Sequence, residues 1–184
     1  MHMKRFTSHY ENKINKTKQL LTTTNNQPVG SLGGYASSAG TGYYSATKFA
    51  LAGLTEALRA EVSPLGITAT IIEPGYFRTN FLSTSSSTDA INMQHAALSI
   101  PDYAPMRASL NAGIEGYAGK QPGDPEKGAQ VIVEALTGTG RGEGRVLPAR
   151  LLLGVDAMPF WEGVRERQDE EMKGWKDIVS ATHF

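Results

Sequence analysis

The sequence predicts an α/β fold built on a parallel, doubly wound sheet, and three observations carry that prediction. Strong helix formers fill residues 44–62, a β-branched run follows at 67–72 after a short turn, and Pro74-Gly75 comes directly behind that run. Helix, tight turn, buried strand and then a loop at the strand's carboxyl end is the repeating unit of doubly wound sheets, which bind ligands at those carboxyl ends.

Residues 1–30 differ in composition from the rest. They carry Lys4, Arg5, Lys13, Lys16 and Lys18 against one acid, Glu11. They read as an unrelated, solvated and poorly ordered leader, or as a short helix over 10–21. The leader lacks the apolar core of a secretory signal, and arginine is too scarce for a good transit peptide. Asn25 to Gly30 is too polar and too broken for a central strand.

Residues 31–42 are rich in Gly, Ser and Ala and read as a loop that approaches something closely. The helix over 44–62 has a small-residue stripe, Ala46, Ala50, Gly53 and Ala57, flanked by Phe49, Leu54 and Leu58. Small residues permit close backbone approach, either to the sheet or to a partner helix. Ser63-Pro64-Leu65-Gly66 ends this helix. The run 67–72 then suits a buried parallel strand.

Residues 80–123 form a long stretch, Ser/Thr-rich at 83–88, holding Met93, Leu98, Ile100, Tyr103 and Met106. Its uneven hydrophobicity suits a mobile lid. Asp124-Pro125-Glu126 starts a helix with an N-cap, a first-position proline and a first-turn acid, running to about Leu136. A glycine-rich turn over 138–144 follows, then a last strand within 146–153 interrupted by Pro148, then a charged closing helix over 160–175.

At 184 residues the chain predicts one domain. Eighteen basic residues balance eighteen acidic ones, so no broad attraction to nucleic acid or membrane is expected. The absence of cysteine excludes disulfides, thiolate nucleophiles and cysteine metal sites, and fits a cytoplasmic setting. No apolar run approaches the roughly 18 residues of a spanning helix. His2, His9, His95 and His183 are scattered without metal-ligand spacing, so no metal site is expected. The basic leader lacks the charge density and aromatic interleaving of a nucleic-acid binder. The run 138–144 fails the G-x-G-x-x-G spacing and leads from a helix into a strand, the reverse of a phosphate loop.

The chemistry concentrates at Gly42-Tyr43-Tyr44-Ser45-Ala46-Thr47-Lys48. Tyr44 and Lys48, four apart, lie on one helix face a turn apart. A cation beside a phenol, whose ordinary pKa is about 10, favours the phenolate and draws a tyrosine towards acid/base work. Ser31, thirteen residues ahead of Tyr44, supplies a hydroxyl for the oxygen of a carbonyl or alcohol. Each feature also has a structural reading: a half-buried tyrosine, a solvated lysine, a serine capping the turn before Gly33-Gly34, an ordinary turn at Pro74-Gly75, and packing roles for Tyr76, Phe77 and Tyr103.

Ser31, the Ala-Gly loop, the run YSATKFALAGLTEALRAE from Tyr44 and the run GITATIIEPGYFRT ending at Thr79 together closely resemble the carboxyl-terminal half of the short-chain dehydrogenase/reductase family. The resemblance covers residues 31–184 and implies a Rossmann-like sheet, NADP or NAD as cofactor, and a small carbonyl or alcohol as substrate. It implies Ser31 as the substrate-orienting serine, Tyr44 as the acid/base, and Lys48 as the residue that assists the tyrosine and binds the nicotinamide ribose. Tyr44, Lys48, Pro74, Gly75, Tyr76 and Thr79 would border the cofactor, residues 80–123 would be the substrate flap, and the helix over 44–62 would dock a second copy.

The family's TGxxxGxG turn and Asn-Asn-Ala-Gly segment do not precede Ser31. The resemblance therefore implies a partial domain whose sheet is incomplete on its amino-terminal side, with weak or absent cofactor binding by this chain alone. The alternative is a catalytically inactive, truncated remnant that packs on a partner chain.

Overall fold

The computed structural model describes residues 28–82 and 100–182. The leader up to Gln27, the run 83–88, Met93, Leu98 and all four histidines therefore lie outside the described residues. Among the described residues seven main elements follow one another: α1 (Gly42–Val62), β1 (Ile71–Pro74), α2 (Ala104–Tyr117), α3 (Pro125–Thr137), β2 (Arg150–Leu153), α4 (Ala157–Lys173) and α5 (Lys176–Ser180), with short 3-10 turns between them.

β1 and β2 pair in parallel, Ile71 opposite Arg150 through to Pro74 opposite Leu153. Backbone groups alternate between strand edges, and β1 uses both. Ile71 N donates to Ala149 O at 2.9 Å on one side, while on the other Ile72 N donates to Pro28 O at 3.0 Å and Ile72 O accepts from Gly30 N at 2.7 Å. Val29 thus forms a parallel bridge with Ile72, and β1 lies between this segment and β2. The polar residues 25–30 argued against a central strand, yet Pro28 to Gly30 joins the sheet through its backbone. Gly30 is buried there, and a methyl on it would lie 2.7 Å from Glu73 Cγ.

Both strands start later than the sequence suggested, for one shared reason. Pro148 has no N–H to give a ladder, so regular pairing waits until Ala149. Side chains replace the missing rungs. Arg59 donates to Ala69 O at 2.6 Å and to Leu147 O at 2.7 Å, and the Thr70 hydroxyl donates to Pro148 O at 2.8 Å. Residues 67–70 are therefore an approach to β1 rather than part of it.

Among the described residues the buried apolar core is Leu32, Ala52, Ile71, Ile72, Leu153, Ala157 and Val164. α1 turns Ser45, Ala52 and Thr55 inward, and Thr55 satisfies its hydroxyl on Leu51 O at 2.8 Å. The stripe of Ala46, Ala50, Gly53 and Ala57 points the other way, into solvent. Of the two readings of that stripe, contact with the sheet is overturned.

α3 matches its sequence signals closely. The Asp124 carboxylate accepts from Glu126 N at 2.9 Å and Lys127 N at 3.3 Å, and Gly138, at φ 65°, closes the helix in the left-handed region. Residues 137–144 do spell the spacing TG-x-x-x-G-x-G, but they close a helix instead of opening one. Glu134 folds back over them, accepting from Arg141 N at 3.1 Å and pairing with its guanidinium at 3.0 Å. In the described part of the lid residues 104–117 form α2, which rests Met106 and Leu110 on Gly40, ahead of α1. The closing helix starts at Ala157 instead of residue 160 and breaks at Gly174 before α5.

Candidate active site

Three loops meet at the carboxyl ends of the sheet. Ser31 follows the Val29 bridge, residues 75–79 follow β1, and residues 154–156 follow β2. In parallel sheets this end collects the loops that carry function.

Ser31 caps the 3-10 turn Leu32–Gly34, its Oγ accepting from Gly33 N at 3.1 Å. The capping role is real, and it uses only a lone pair, so the hydroxyl hydrogen stays available to a substrate oxygen. Gly33 is what brings Ser31 and Tyr44 together. A methyl there would lie 3.0 Å from Tyr44 Cε1 and 3.5 Å from Ser31 Oγ, so a side chain at residue 33 would crowd the space between them.

Tyr44 is half-buried in the first turns of α1. Helical geometry sets Lys48 one turn on, with Nζ 5.6 Å from the Tyr44 ring centroid, inside cation–π range. Lys48 Nζ also donates to Val29 O at 2.9 Å, tying the helix to the sheet edge. An ammonium has three N–H donors. Val29 takes one of them.

The loop after β1 is pinned by three backbone bonds, one to β2 and two to Gly123. Gly75 N donates to Leu153 O at 2.7 Å, Gly123 N donates to Tyr76 O at 3.0 Å, and Arg78 N donates to Gly123 O at 2.8 Å. Pro74 ends the strand opposite Leu153. Thr79 Oγ1 accepts from Phe81 N at 3.3 Å, which leaves its hydrogen free to donate. Tyr76 stacks at a tilt on Tyr117 of α2, with centroids 4.7 Å apart. Burial pushes the Tyr76 phenol above its ordinary pKa, and the neighbouring Tyr117, Asp156 and Tyr44 add to the rise. Tyr76 therefore remains a neutral hydroxyl. The structure draws Ser31, Tyr44 and Lys48 into one cluster and sets the 74–79 loop beside it, linked by the Tyr44–Phe81 ring pair at 6.5 Å.

Asp156 escaped the sequence reading. Its Oδ2 accepts from Tyr76 N at 2.8 Å, while its Oδ1 is buried without a hydrogen-bond partner. A methyl on Gly75 would overlap this carboxylate, so Gly75 is needed for the aspartate to reach the loop backbone. The Glu73–Arg150–Tyr35 network beneath the site also escaped it. An acid inside an apolar strand is a visible signal that a partner must exist. Nothing local says that the partner is Arg150.

Comparison with known proteins finds likenesses in sequence and in fold. Residues 28–90 match the family model described as short chain dehydrogenase. Oxidoreductase BOA17 of Botryotinia fuckeliana is 29% identical over 157 residues, covering 84% of this chain and 51% of that protein. An uncharacterized oxidoreductase of Bacillus subtilis, YusZ, is 33% identical over 97 residues, covering 51% of this chain and 32% of its own length. The crystal structure of a short-chain dehydrogenase from Streptomyces avermitilis superposes with a TM-score of 0.64 at 36% identity, covering 85% of this chain and 51% of that one. The chain thus spans about half the length, or less, of the curated relatives it matches. With an α/β parallel sheet, a Tyr44–Lys48 pair at its carboxyl end and these likenesses in sequence and structure, the chain is similar to part of the short-chain dehydrogenases.

Proposed function

We propose that this chain is part of an NAD(P)-dependent oxidoreductase that moves a hydride between a nicotinamide cofactor and a small carbonyl or alcohol, in a cytoplasmic setting. The observation that carries the reading is the meeting of Ser31 and Tyr44 at Gly33, with Lys48 beside the Tyr44 ring and bonded to Val29 O at the sheet edge. No described helix is long and apolar enough to cross a membrane. The donors fit the nicotinamide end of such a cofactor. Lys48 retains N–H groups beyond its bond to Val29, and Thr79 retains a hydroxyl hydrogen. The pyrophosphate end has no strand-to-helix glycine turn to meet it among the described residues.

When bound, the cofactor supplies or accepts the hydride. Tyr44 gives or takes the proton at the substrate oxygen, Ser31 orients that oxygen with its free hydrogen, and Lys48 holds the ribose. Residues 74–79 border the nicotinamide, and α2, within the 80–123 flap, shapes what enters. The test is a titration with NADPH and NADH followed by nicotinamide fluorescence. Binding that is weak for want of a phosphate-binding turn, yet saturable and weakened about tenfold in Lys48→Ala, is the expected result. No binding at about millimolar cofactor overturns the reading for this chain on its own.

A second reading is favoured by the exposed side of α1. Leu54 is 68% exposed, and Phe49 and Leu58 flank an open small-residue stripe. On this reading the chain is catalytically inactive and packs on a partner, a second copy docking along α1. Sedimentation of wild type against Ala50→Glu tests it, with loss of a dimer in the variant expected. A wild-type monomer at all concentrations excludes the second copy.

A further inference from the structure

The side of the candidate site facing α2 is built from rings and other uncharged apolar side chains. Tyr44 pairs with Phe81 at 6.5 Å and 52°, and Tyr76 pairs with Tyr117 at 4.7 Å and 54°. α2, which carries Tyr117, also packs against the turn Asn80–Leu82 that carries Phe81, so the two pairs border one helix. Met106 and Leu110 continue the same face of α2 over Gly40. None of these side chains brings a formal charge. Yet Phe81 is 48% exposed, Tyr76 46% and Tyr117 40%. So much exposed aromatic surface beside a polar cluster marks a place where an apolar ligand is received.

Ring geometry narrows the ligand further. Both pairs are tilted instead of stacked flat, so each presents ring edges beside ring faces. Aromatic groups prefer such edge-to-face and offset partners beyond what apolar area alone provides.

We infer that the substrate of this site is an aryl carbonyl or aryl alcohol, its ring held by Phe81, Tyr76 and Tyr117 and its oxygen directed to Ser31 and Tyr44. The inference rests on the reading of Tyr44 as the acid/base. A charged or strongly hydrophilic carbon skeleton would have to shed its water against these rings, none of which carries a charge to replace it.

The experiment measures binding apart from turnover. Saturation-transfer NMR on the full chain compares acetophenone with cyclohexyl methyl ketone, which keeps the size and loses the ring's π-system. Acetophenone is expected to bind about 5-fold more tightly. Phe81→Leu and Tyr117→Leu, which keep apolar bulk, should each bring that preference to about 2-fold or less. Tyr44→Phe, which keeps the ring, should retain it. Equal affinities in the wild type, a preference that survives both leucine variants, or no binding of either ketone overturns the inference. A chain that shows the preference but reduces no ketone with NADPH sinks the oxidoreductase reading and leaves the aryl-binding surface standing.

Discussion

Arg150 and Glu73 meet in a two-pronged ion pair across the middle of the sheet. Nη2 lies 2.6 Å from Oε1 and Nε lies 2.9 Å from Oε2. The Glu73 side chain is wholly buried, and Tyr35 adds a third bond, its hydroxyl donating to Oε2 at 2.7 Å. Arg150 also donates to Gly34 O at 3.0 Å, and its guanidinium lies 3.6 Å from the Tyr35 ring centroid. The turn after Ser31, β1 and β2 are thereby stitched beneath the candidate site. Arg150→Ala would leave a buried carboxylate facing only Tyr35, at a cost of about 3–5 kcal/mol. The double variant Glu73→Leu/Arg150→Met, which removes both charges, should lose markedly less. Urea unfolding of the three proteins checks this, and equal losses would show that the pair is not the cause.

The same network makes the fold sensitive to alkali. Burial, then the hydrogen bond and charge of Glu73, push the Tyr35 phenol well above its ordinary value. Burial works against the charge of Arg150, but its bonds to Glu73 win and raise it as well. Both groups hold their protons more tightly folded than unfolded, so their contribution is complete below the unfolded pKa and fades as pH rises towards the folded one. The thermal midpoint should therefore be flat from about pH 7 to 9 and fall above about pH 10, where unfolded tyrosine ionises. Tyr35→Phe should start lower and lose less over the same rise. Circular dichroism melts across that range decide it, and an identical slope in the variant would refute the assignment to Tyr35.

Asp156 and Gly75 are predicted to be coupled. A methyl on Gly75 runs into the Asp156 carboxylate, which holds Tyr76 N at 2.8 Å. Gly75→Ala should cost about 1–3 kcal/mol. Asp156→Ala gives up the Tyr76 bond but opens the space, so the double variant should be more stable than the sum by about 1 kcal/mol. Strict additivity in the double-mutant cycle would mean that the two residues do not meet.

Two glycines should respond in opposite directions. At Gly142, a methyl overlaps the backbone oxygen of Glu134, which cannot swing away as a side chain would. Gly142→Ala should therefore destabilise by about 2 kcal/mol or more. At Gly53, on the open face of α1, a methyl meets nothing within 4 Å. Gly53→Ala should stabilise the monomer by about 0.5–1 kcal/mol, the ordinary helix gain over glycine. A loss at Gly53 in a dimer, with a gain in the monomer, would locate the docked copy on that face.

Chain order alone was enough wherever the physics is local. The Tyr44–Lys48 approach follows from helical pitch, and the α3 start follows from an aspartate and a proline reaching the next few N–H groups. Fold class was legible for the same reason, since a helix, a turn and a β-branched run are each short-range patterns. Distant pairings were not legible. Where β1 begins depends on Arg59 bridging Ala69 and Leu147, and on the missing N–H of Pro148. Which side of α1 is buried depends on what the sheet presents to it, and the visible apolar stripe proved to be the outer one. Glu73 announces a partner but not its address, because Arg150 lies 77 residues away and only the parallel register brings the two together. Local periodicity and capping are written in neighbouring residues, whereas the ion pair, the Asp156 latch and the aromatic wall exist only once distant segments are packed side by side.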